Sequence, residues 1–334
     1  MNNKLLFYGE IYPFTTNGIS IFNKEALNIL REKFIITKII KKGSGESHPS
    51  LISTFKSLLN YFYSLSKFDL LYISIPTSFK GILLLYIQSF YFNRRNFKSI
   101  IYHIHRGDLE HFIKFKINRC LFKKLTFYAK KIIVLDYSQS QIIKNLNPTI
   151  EVKVLNNTCF ENFDVRYNSV EGKFLFLSNY FKEKGILDAI EVFNKLNNKS
   201  LVCFGNGKIP KEVRINKNII INDSLHGKEK FTAYSNCDAL IFPSWNEGFP
   251  LTILESMSIG TPIICSKVGY IEKILGSKYP LFFQPRNTIQ LKEKIIEFEQ
   301  MDKKKISKYL INRYNKYFHK SIFKKSLNEI FDYS

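Results

Sequence analysis

The chain has 334 residues, 45% hydrophobic and 23% charged, so it is long enough for two domains that each bury a core. Lysine and arginine outnumber aspartate and glutamate by 50 to 28, which predicts an anionic partner such as nucleic acid, an anionic lipid surface or a phosphorylated substrate. Five scattered cysteines and an N-terminus without a long apolar run lead us to expect a cytosolic protein, and the longest nearly apolar run, residues 82–92, is too short to span a bilayer.

Short apolar runs alternate with segments of helical spacing through the first half of the chain. Phe22, Ala26, Ile29 and Leu30 have helical spacing and predict a helix over residues 22–34. Strands are predicted near the N-terminus and at residues 34–40, 70–75, 99–104 and 131–136. Strands that alternate with helices imply a parallel sheet with helices on both faces, an α/β fold.

The same alternation restarts at residue 173, after residues 150–172, which become polar and loop-like after one strand. We therefore predict two doubly wound domains, 1–165 and 166–334, with the boundary near residue 165. Two such domains would place the C-terminal ends of their strands on facing edges of a cleft. The basic segment 302–331 reads as a C-terminal helix that packs back across the domains.

Residues 242–262, FPSWNEGFPLTILESMSIGTP, combine a turn with the start of a helix. Pro250 suits the first helical position because its missing N–H would have no intrahelical partner there. Gly248 allows the backbone to approach a ligand closely. A phosphate-binding helix end is predicted at the free N–H groups of Phe249, Leu251 and Thr252.

Glu247 and Glu255 are eight positions apart around this turn. Carboxylates accept hydrogen bonds from vicinal hydroxyls, so the two acids could bind a ribose and a hexose on either side of a diphosphate. The plainer alternative is a polar helix start with two solvated glutamates.

Residues 236–275, which contain EGFPLTILE, resemble the E-x7-E region of the retaining family-4 glycosyltransferases. The resemblance implies the GT-B fold, in which two Rossmann-like domains face each other across a cleft. The first domain would bind the acceptor, and the second would bind the nucleotide-sugar donor. The implied reaction is hexosyl transfer from a nucleotide-diphosphate sugar to a hydroxyl with retention of configuration, as in the synthesis of bacterial surface polysaccharides.

Residues 177–193 are similar to a family segment in which an arginine and a lysine hold the donor diphosphate. Lys184 and Gly185 match it, whereas Ser178 and Asn179 replace its Gly-Arg pair, and Lys182 is a candidate substitute for the missing cation. The resemblance implies Glu247, Lys184 and His105 as catalytic residues. It implies donor binding by Glu255, Gly248, Phe249, Pro250, Leu251, Thr252, Asn179, Lys182, Gly227 and Gly18.

Residues 102–107, YHIHRG, resemble a His-x-His-Gly-Gly motif of several polysaccharide-building members. His105 is expected to contact the transferred sugar, and His103 to be a core histidine. Arg106 replaces the first glycine and could supply the missing cation. Gly227 corresponds to a turn that lines the base and sugar, and Gly18 to an N-terminal loop that closes over the phosphate, although a plain turn explains Gly18 almost as well.

No Asp-x-Asp follows a strand and no His or Cys residues are grouped in the sequence, so we expect metal-independent chemistry with no cofactor beyond the donor. Basic and aromatic residues mix over residues 90–98 and 113–131, which favours peripheral binding to an anionic membrane. The acceptor would then be a lipid-linked glycan, such as one on polyprenyl diphosphate, at the inner face of the cell membrane. Solvated helix faces are the alternative.

Three other functions remain open at this point. The charge of +22 is compatible with a nucleic-acid-binding protein, although the basic residues are spread along the chain and form no recognised nucleic-acid motif. Another GT-B reaction, such as nucleotide-sugar epimerisation or inverting transfer, is the alternative among enzymes. A degenerate member without catalysis is the third, because Asn17 and Asn179 depart from the family pattern. The sequence selects neither the sugar, the base nor the acceptor.

Overall fold

The computed structural model describes residues 3–14, 17–40, 68–93, 99–161 and 163–332, with the backbone alone for 91–93. The chain divides into two compact units, residues 1–156 with 323–334, and residues 157–322. The predicted boundary near residue 165 is therefore too late. Residues just after 156 already form hydrogen bonds within the second unit. The Asn157 side-chain amide donates to the Phe249 carbonyl, and the Thr158 hydroxyl donates to the Phe318 carbonyl.

The described strands of the first unit form one parallel sheet in the order β2-β1-β3-β4-β5-β6. They are β1 (Asn3–Gly9), β2 (Phe34–Ile40), β3 (Leu70–Ser74), β4 (Ile100–His103), β5 (Lys131–Val134) and β6 (Glu151–Val154). The strands predicted in this half are all confirmed. Central strands β3, β4 and β5 are buried along their whole length, which is why they read as continuous apolar runs.

The described helices of the first unit pack around this sheet. They are α1 (Gly18–Leu30), α2 (Phe79–Asn93), α3 (Leu109–Ile113), α4 (Lys116–Thr126) and α5 (Tyr137–Leu146). Helix α1 begins and ends four residues before the predicted 22–34. The Asn17 side chain accepts from the Ser20 N–H and fixes the earlier start, and the chain enters β2 at Phe34.

The second unit has its own parallel sheet in the order β12-β11-β10-β7-β8-β9. Its strands are β7 (Lys173–Leu177), β8 (Ser200–Phe204), β9 (Ile219–Asn222), β10 (Ala239–Phe242), β11 (Ile263–Ser266) and β12 (Phe282–Phe283). Each unit is thus a doubly wound α/β fold. The strand order of the second sheet reverses between β7 and β10, and ligands bind at the carboxyl ends of strands at such a switch point.

The described helices of the second unit follow the strands in turn. They are α6 (Ile186–Phe193), α7 (Gly227–Ser235), α8 (Leu251–Ile259), α9 (Ile271–Leu275), α10 (Thr288–Glu299) and α11 (Lys303–Tyr317), with a 3-10 helix over Lys182–Lys184. Helix α8 ends at Gly260, which has a left-handed φ of 90°, as expected of a glycine after a helix.

The C-terminal segment forms two helices where the sequence predicted one, because α11 ends at Tyr317 and α12 covers Lys320–Ile330. No glycine or proline marks this break. It is held by tertiary contacts within the second unit, where the Phe318 carbonyl accepts from Thr158 and the Phe318 ring packs on Phe249. Residues 323–334 group with the first unit, in which Phe331 contacts Tyr72.

Candidate functional site

Two loops leave the sheet of the second unit at its switch point. Residues 178–185 follow β7 and residues 243–250 follow β10, the neighbouring strand. The carboxyl ends of parallel strands meet at one edge of a sheet, so both loops lie together there. They carry most of the side chains that the sequence predicted for a donor site.

Lys184 and Glu247 form an ion pair between these loops. The Lys184 Nζ lies 2.7 Å from Glu247 Oε1, and the Ser244 hydroxyl donates to the same oxygen at 2.7 Å. The Glu247 side chain is 10% exposed and the Lys184 side chain 32%, so the pair is partly open to solvent. Two residues that the sequence assigned to catalysis are thus brought together across 63 positions of the chain.

Two glycines, one in the first loop and one after β11, allow backbone segments to approach closely around this pair. A Cβ at Gly185, where φ is 73°, would lie 2.1 Å from the Pro243 carbonyl oxygen. A Cβ at Gly269, where φ is 53°, would lie 2.0 Å from the Glu247 carbonyl oxygen. Because only glycine accepts both the left-handed φ and the contact, these two positions hold the backbone beside Lys184 and Glu247.

The N-terminus of α8 follows Glu247 directly. Pro250 is the N-cap of α8, whereas the sequence predicted it as the first helical residue. It provides no side-chain hydrogen bond to cap the helix. The first turn holds no acidic residue, and its N–H groups, including those of Leu251 and Thr252, have no intrahelical acceptor. The ring of buried Phe249 is fixed against Phe318 and Tyr270. This helix end has the electrostatics of an anion site.

Glu255 lies deeper in α8 and is buried. The Lys230 Nζ lies 2.7 Å from its Oε1, and the Tyr234 hydroxyl donates to its Oε2 at 3.0 Å. Lys230 and Tyr234 are one turn apart on α7, so a single helix face supplies both partners. Burial lowers the pKa of Lys230, but the nearby Glu255 and Glu161 carboxylates outweigh that effect and the pKa is raised. Glu255 is therefore bonded within the protein and is not the solvated glutamate of the plainer alternative.

Asn179 and Lys182 have local roles in the first of these loops. The Asn179 side chain accepts from the Asn206 N–H at 3.3 Å, so it ties this loop to the turn after β8. The exposed Lys182 lies over the Trp245 ring, with its Nζ 5.6 Å from the ring centroid. Lys184 is therefore the lysine that contacts Glu247, and the donor-binding roles of Asn179 and Lys182 stay predictions.

A cavity of about 430 Å³ opens at the C-terminal ends of β8 and β9. Its walls include Tyr180, Ile209, Ile221 and Asp223, and the Tyr180 hydroxyl donates to the Asn222 carbonyl. Gly227 begins α7 a few residues further on, with a φ of 54° and open space where a Cβ would stand. Its predicted contact with the donor stays a prediction.

His105 and His103 lie in the first unit, with ring centroids 3.9 Å apart. His103 is fully buried and its Nδ1 is 2.7 Å from the Tyr72 hydroxyl, as the core reading predicted. Burial lowers the pKa of His105 to about 3, so its imidazole is neutral near pH 7. Within the described part of the chain, Nε2 of His105 has no hydrogen-bond partner. Its contact with a sugar stays a prediction.

Arg106 and Gly18 also take local roles in the first unit. The Arg106 guanidinium binds Asp108 through two hydrogen bonds of 2.8 and 3.0 Å and also donates to the Thr77 carbonyl. Asp108 thus balances the charge of Arg106 within its own loop. This contact does not support the role of Arg106 as the cation that replaces the arginine missing at Asn179. Gly18 is the first residue of α1, directly after the Asn17 cap, and residues 15–16 of the predicted phosphate loop lie outside the described residues.

Sequence reasoning missed four residues that position this site. Ser244, Lys230, Tyr234 and Gly269 contact the two predicted glutamates. Lys230 and Tyr234 have i, i+4 spacing on a helix, which could have indicated a shared target. The target itself, Glu255, could not be read from that spacing.

None of the helices among the described residues is long and apolar enough to cross a membrane. In the same residues, no three or more His, Cys, Asp or Glu side chains are grouped so that they could hold a metal ion. Metal-independent chemistry stays a prediction.

Residues 160–316 match the family described as "Glycosyl transferases group 1". This match lies within the second unit, which carries Lys184, Glu247 and Glu255. The chain is 30% identical over 189 residues, 54% of its length, to a protein of Methanocaldococcus jannaschii named as an uncharacterized glycosyltransferase, and the match covers 52% of that protein.

Two further likenesses concern a curated relative and a solved structure. The chain is 24% identical over 217 residues, 58% of its length, to the N,N'-diacetylbacillosaminyl-diphospho-undecaprenol alpha-1,3-N-acetylgalactosaminyltransferase of Campylobacter jejuni, and covers 57% of it. The chain thus spans about half the length of these two relatives. Sucrose-phosphate synthase from Thermosynechococcus elongatus has the same fold, with a TM-score of 0.76, 13% identity and 98% of each chain covered.

Proposed function

We propose that the protein is a retaining glycosyltransferase that moves a hexosyl group from a nucleotide-diphosphate sugar to a hydroxyl of a glycan acceptor. The observation that carries this proposal is the Lys184–Glu247 ion pair at the switch point of the second sheet, next to the uncapped N-terminus of α8. The match of residues 160–316 to group 1 glycosyltransferases supports it.

The proposed chemistry places the charges of the donor on these groups. The diphosphate binds at the N-terminus of α8, where the N–H groups of Leu251 and Thr252 and the Lys184 ammonium offset its charge. The bond between the anomeric carbon and the diphosphate oxygen breaks. The acceptor oxygen bonds to the same carbon on the same face, and the acceptor proton passes to the departing diphosphate. The charge that develops on the leaving group is met by groups already in place, so no metal is required.

The two glutamates take different parts in this proposal. Glu247 holds the Lys184 ammonium at the site and offers its second oxygen to a sugar hydroxyl. Glu255 accepts a hydrogen bond from a hydroxyl of the donor. Its carboxylate has lone pairs left for this bond after its contacts with Lys230 and Tyr234. Prepositioned groups of this kind lower the barrier because they need no reorganisation during the reaction.

A lipid-linked acceptor is the finer part of the proposal. The name of the Campylobacter jejuni relative describes transfer to a sugar on diphospho-undecaprenol, and another relative, from Escherichia coli, is named as an O-antigen biosynthesis glycosyltransferase. We infer an acceptor of the same class here, presented at the inner face of the cell membrane. The charge of +22 suits a protein that works beside anionic lipid.

Nucleotide binding tests the donor site. UDP, GDP, ADP and their common sugars are screened for an increase in melting temperature, since a ligand that binds the folded state stabilises it by mass action. We expect one nucleotide class to raise the melting temperature by several degrees. Glu255→Gln removes most of this shift, whereas Glu293→Gln, an exposed position on α10, keeps it. If no nucleotide raises the melting temperature and DNA or RNA does, a nucleic-acid-binding function replaces the proposal.

Turnover with the selected donor tests the reaction. A polyprenyl-diphosphate-linked sugar serves as acceptor, and proton NMR reports the anomeric configuration of the product. We expect the donor configuration to be kept and the rate to persist in EDTA. An inverted product or an epimerised nucleotide sugar would point to another reaction, and activity that EDTA removes and magnesium restores would overturn the metal-independent mechanism.

A further inference from the structure

The outer face of α4 and its flanking residues carries a dense positive charge. Residues 114–131 contain seven lysine and arginine residues and no acidic residue. The exposed ones are Lys114, Lys116, Arg119, Lys123, Lys124 and Lys130. The opposite face of the helix, with Leu121, Phe122 and Leu125, is buried in the core of the first unit, so the charges project from an anchored element.

Large apolar side chains are exposed at both ends of the same helix. Phe115 is 61% exposed, Ile117 71% and Phe127 64%. A helix rises 1.5 Å per residue, so Phe115 and Phe127 are about 18 Å apart along the axis, with four of the exposed basic residues between them. Together with those basic residues, these three side chains form what we call the α4 surface.

The neighbouring helix α2 adds to the apolar character of this region. Phe79, Leu83, Ile87 and Phe90 are exposed and recur every three or four residues, so they lie along one face of α2. The two helices meet where Tyr86 on α2 contacts both Tyr128, at a centroid distance of 6.0 Å, and the Lys124 ammonium. Exposed apolar side chains on adjacent helices usually mark an interaction surface.

We propose that the α4 surface docks on an anionic lipid bilayer. The lysines and Arg119 attract anionic headgroups, while Phe115, Ile117 and Phe127 enter the boundary between headgroups and acyl chains. A nucleic acid would satisfy the charges but would leave the apolar side chains in water, so the combination favours lipid. The inference builds on the proposed lipid-linked acceptor, but docking is measured without donor or acceptor, so either can fail alone.

Cys120 provides a probe on this surface. It is exposed, whereas the other four cysteines, Cys159, Cys203, Cys237 and Cys265, are buried. The full-length protein is labelled at Cys120 with an environment-sensitive nitrobenzoxadiazole dye and mixed with vesicles of phosphatidylcholine alone or with an equal part of phosphatidylglycerol. We expect a blue shift and stronger emission with the anionic vesicles alone, reversed by high salt. Cosedimentation of unlabelled protein checks that the dye does not cause the binding.

Matched variants separate this surface from the general charge of the protein. The triple change Lys116→Gln, Arg119→Gln and Lys123→Gln is expected to weaken binding about a hundredfold, since each basic residue near the membrane contributes roughly a factor of five. The control changes Lys304, Lys305 and Lys308, exposed on α11, to Gln and leaves binding within about twofold. A third variant changes Phe115, Ile117 and Phe127 to Ser and is expected to weaken binding by at least about tenfold while keeping the charge, since each apolar side chain that leaves water adds to the affinity.

Three outcomes would overturn the proposal. Equal losses in the α4 and α11 charge variants would mean that binding follows net charge alone. An unchanged dye spectrum with anionic vesicles would exclude docking through this surface. A spectral change with DNA or RNA but not with vesicles would assign the surface to nucleic acid. Far-UV circular dichroism of each variant confirms that a loss of binding is not a loss of fold.

Discussion

At the scale of single residues, two lysines in one short helix have different surroundings. Lys184 contacts Glu247 and Lys182 lies over the Trp245 ring, although both belong to the 3-10 helix Lys182–Lys184. Trp245 is itself held by a hydrogen bond of 2.6 Å from its Nε1 to Asp188. Burial raises the pKa of Asp188, and the Trp245 bond opposes this effect. The geometry therefore distinguishes Lys184, which contacts a residue of the candidate site, from Lys182, which lies over an aromatic ring.

This difference leads to a prediction for turnover. Lys184→Met should lower kcat on the order of a hundredfold or more, because it removes a positive charge placed for the departing diphosphate. Lys182→Met should lower it less than about tenfold, because its ammonium lies over a ring and not beside Glu247. Steady-state kinetics with the selected donor measures both. Similar losses in the two variants would show that the contact with Glu247 does not distinguish the lysines.

At the scale of secondary-structure elements, the candidate site depends on how closely loops and helices approach. The loop before α6 passes against the Pro243 carbonyl at Gly185, and the loop before α8 lies against Gly269. Helix α7 then brings Lys230 and Tyr234 to Glu255 on α8. Helix packing and two glycine contacts together fix the positions of the charged groups.

Gly185 and Gly227 both have a left-handed φ, but a Cβ would be crowded at Gly185 and free of contacts at Gly227. Gly185→Ala should destabilise the second unit by about 3 kcal/mol or more, since the left-handed conformation costs roughly 1–2 kcal/mol and the new Cβ also meets the Pro243 carbonyl. Gly227→Ala should cost only about 1–2 kcal/mol, because nothing lies near its Cβ. Urea unfolding followed by the fluorescence of Trp245, the single tryptophan, measures the second unit. Equal costs would contradict the role of the close contact.

At the scale of the whole molecule, the last residues of the chain belong to the first unit. Phe323, Leu327, Ile330 and Phe331 are buried there, and the Lys131 Nζ donates to the Ile330 carbonyl at 2.7 Å. The first unit is thus assembled from two separate segments of the sequence, and side chains of residues 323–331 are part of its core.

Removal of one of these buried rings should affect the first unit alone. Phe331→Ala is expected to destabilise it by about 3–5 kcal/mol, the usual cost of a buried phenylalanine. Ile322→Ala, at an exposed position of α12, should cost less than about 1 kcal/mol. Hydrogen exchange separates the units, with faster exchange expected for peptides of β1, β3 and β4 in Phe331→Ala and unchanged exchange for β7 and β10. Equal acceleration in both units would contradict the assignment.

The sequence by itself determined the fold class and predicted members of the candidate site. Buried parallel strands must be apolar along their length, so β3, β4 and β10 are visible as short apolar runs, and Gly260 marks the end of α8. Glu247 and Glu255 stand out because they flank a turn that enters a helix, whereas Lys184 is selected by the resemblance to the family-4 glycosyltransferases.

Only the tertiary structure decided what these residues contact. Lys230 and Glu255 are 25 positions apart, and the Lys184–Glu247 pair spans 63, distances at which local periodicity holds no information. The break after Tyr317 and the return of residues 323–334 to the first unit have the same origin. A sequence pattern records which face of an element avoids water, whereas the partner of that face depends on the order in which the strands assemble into a sheet.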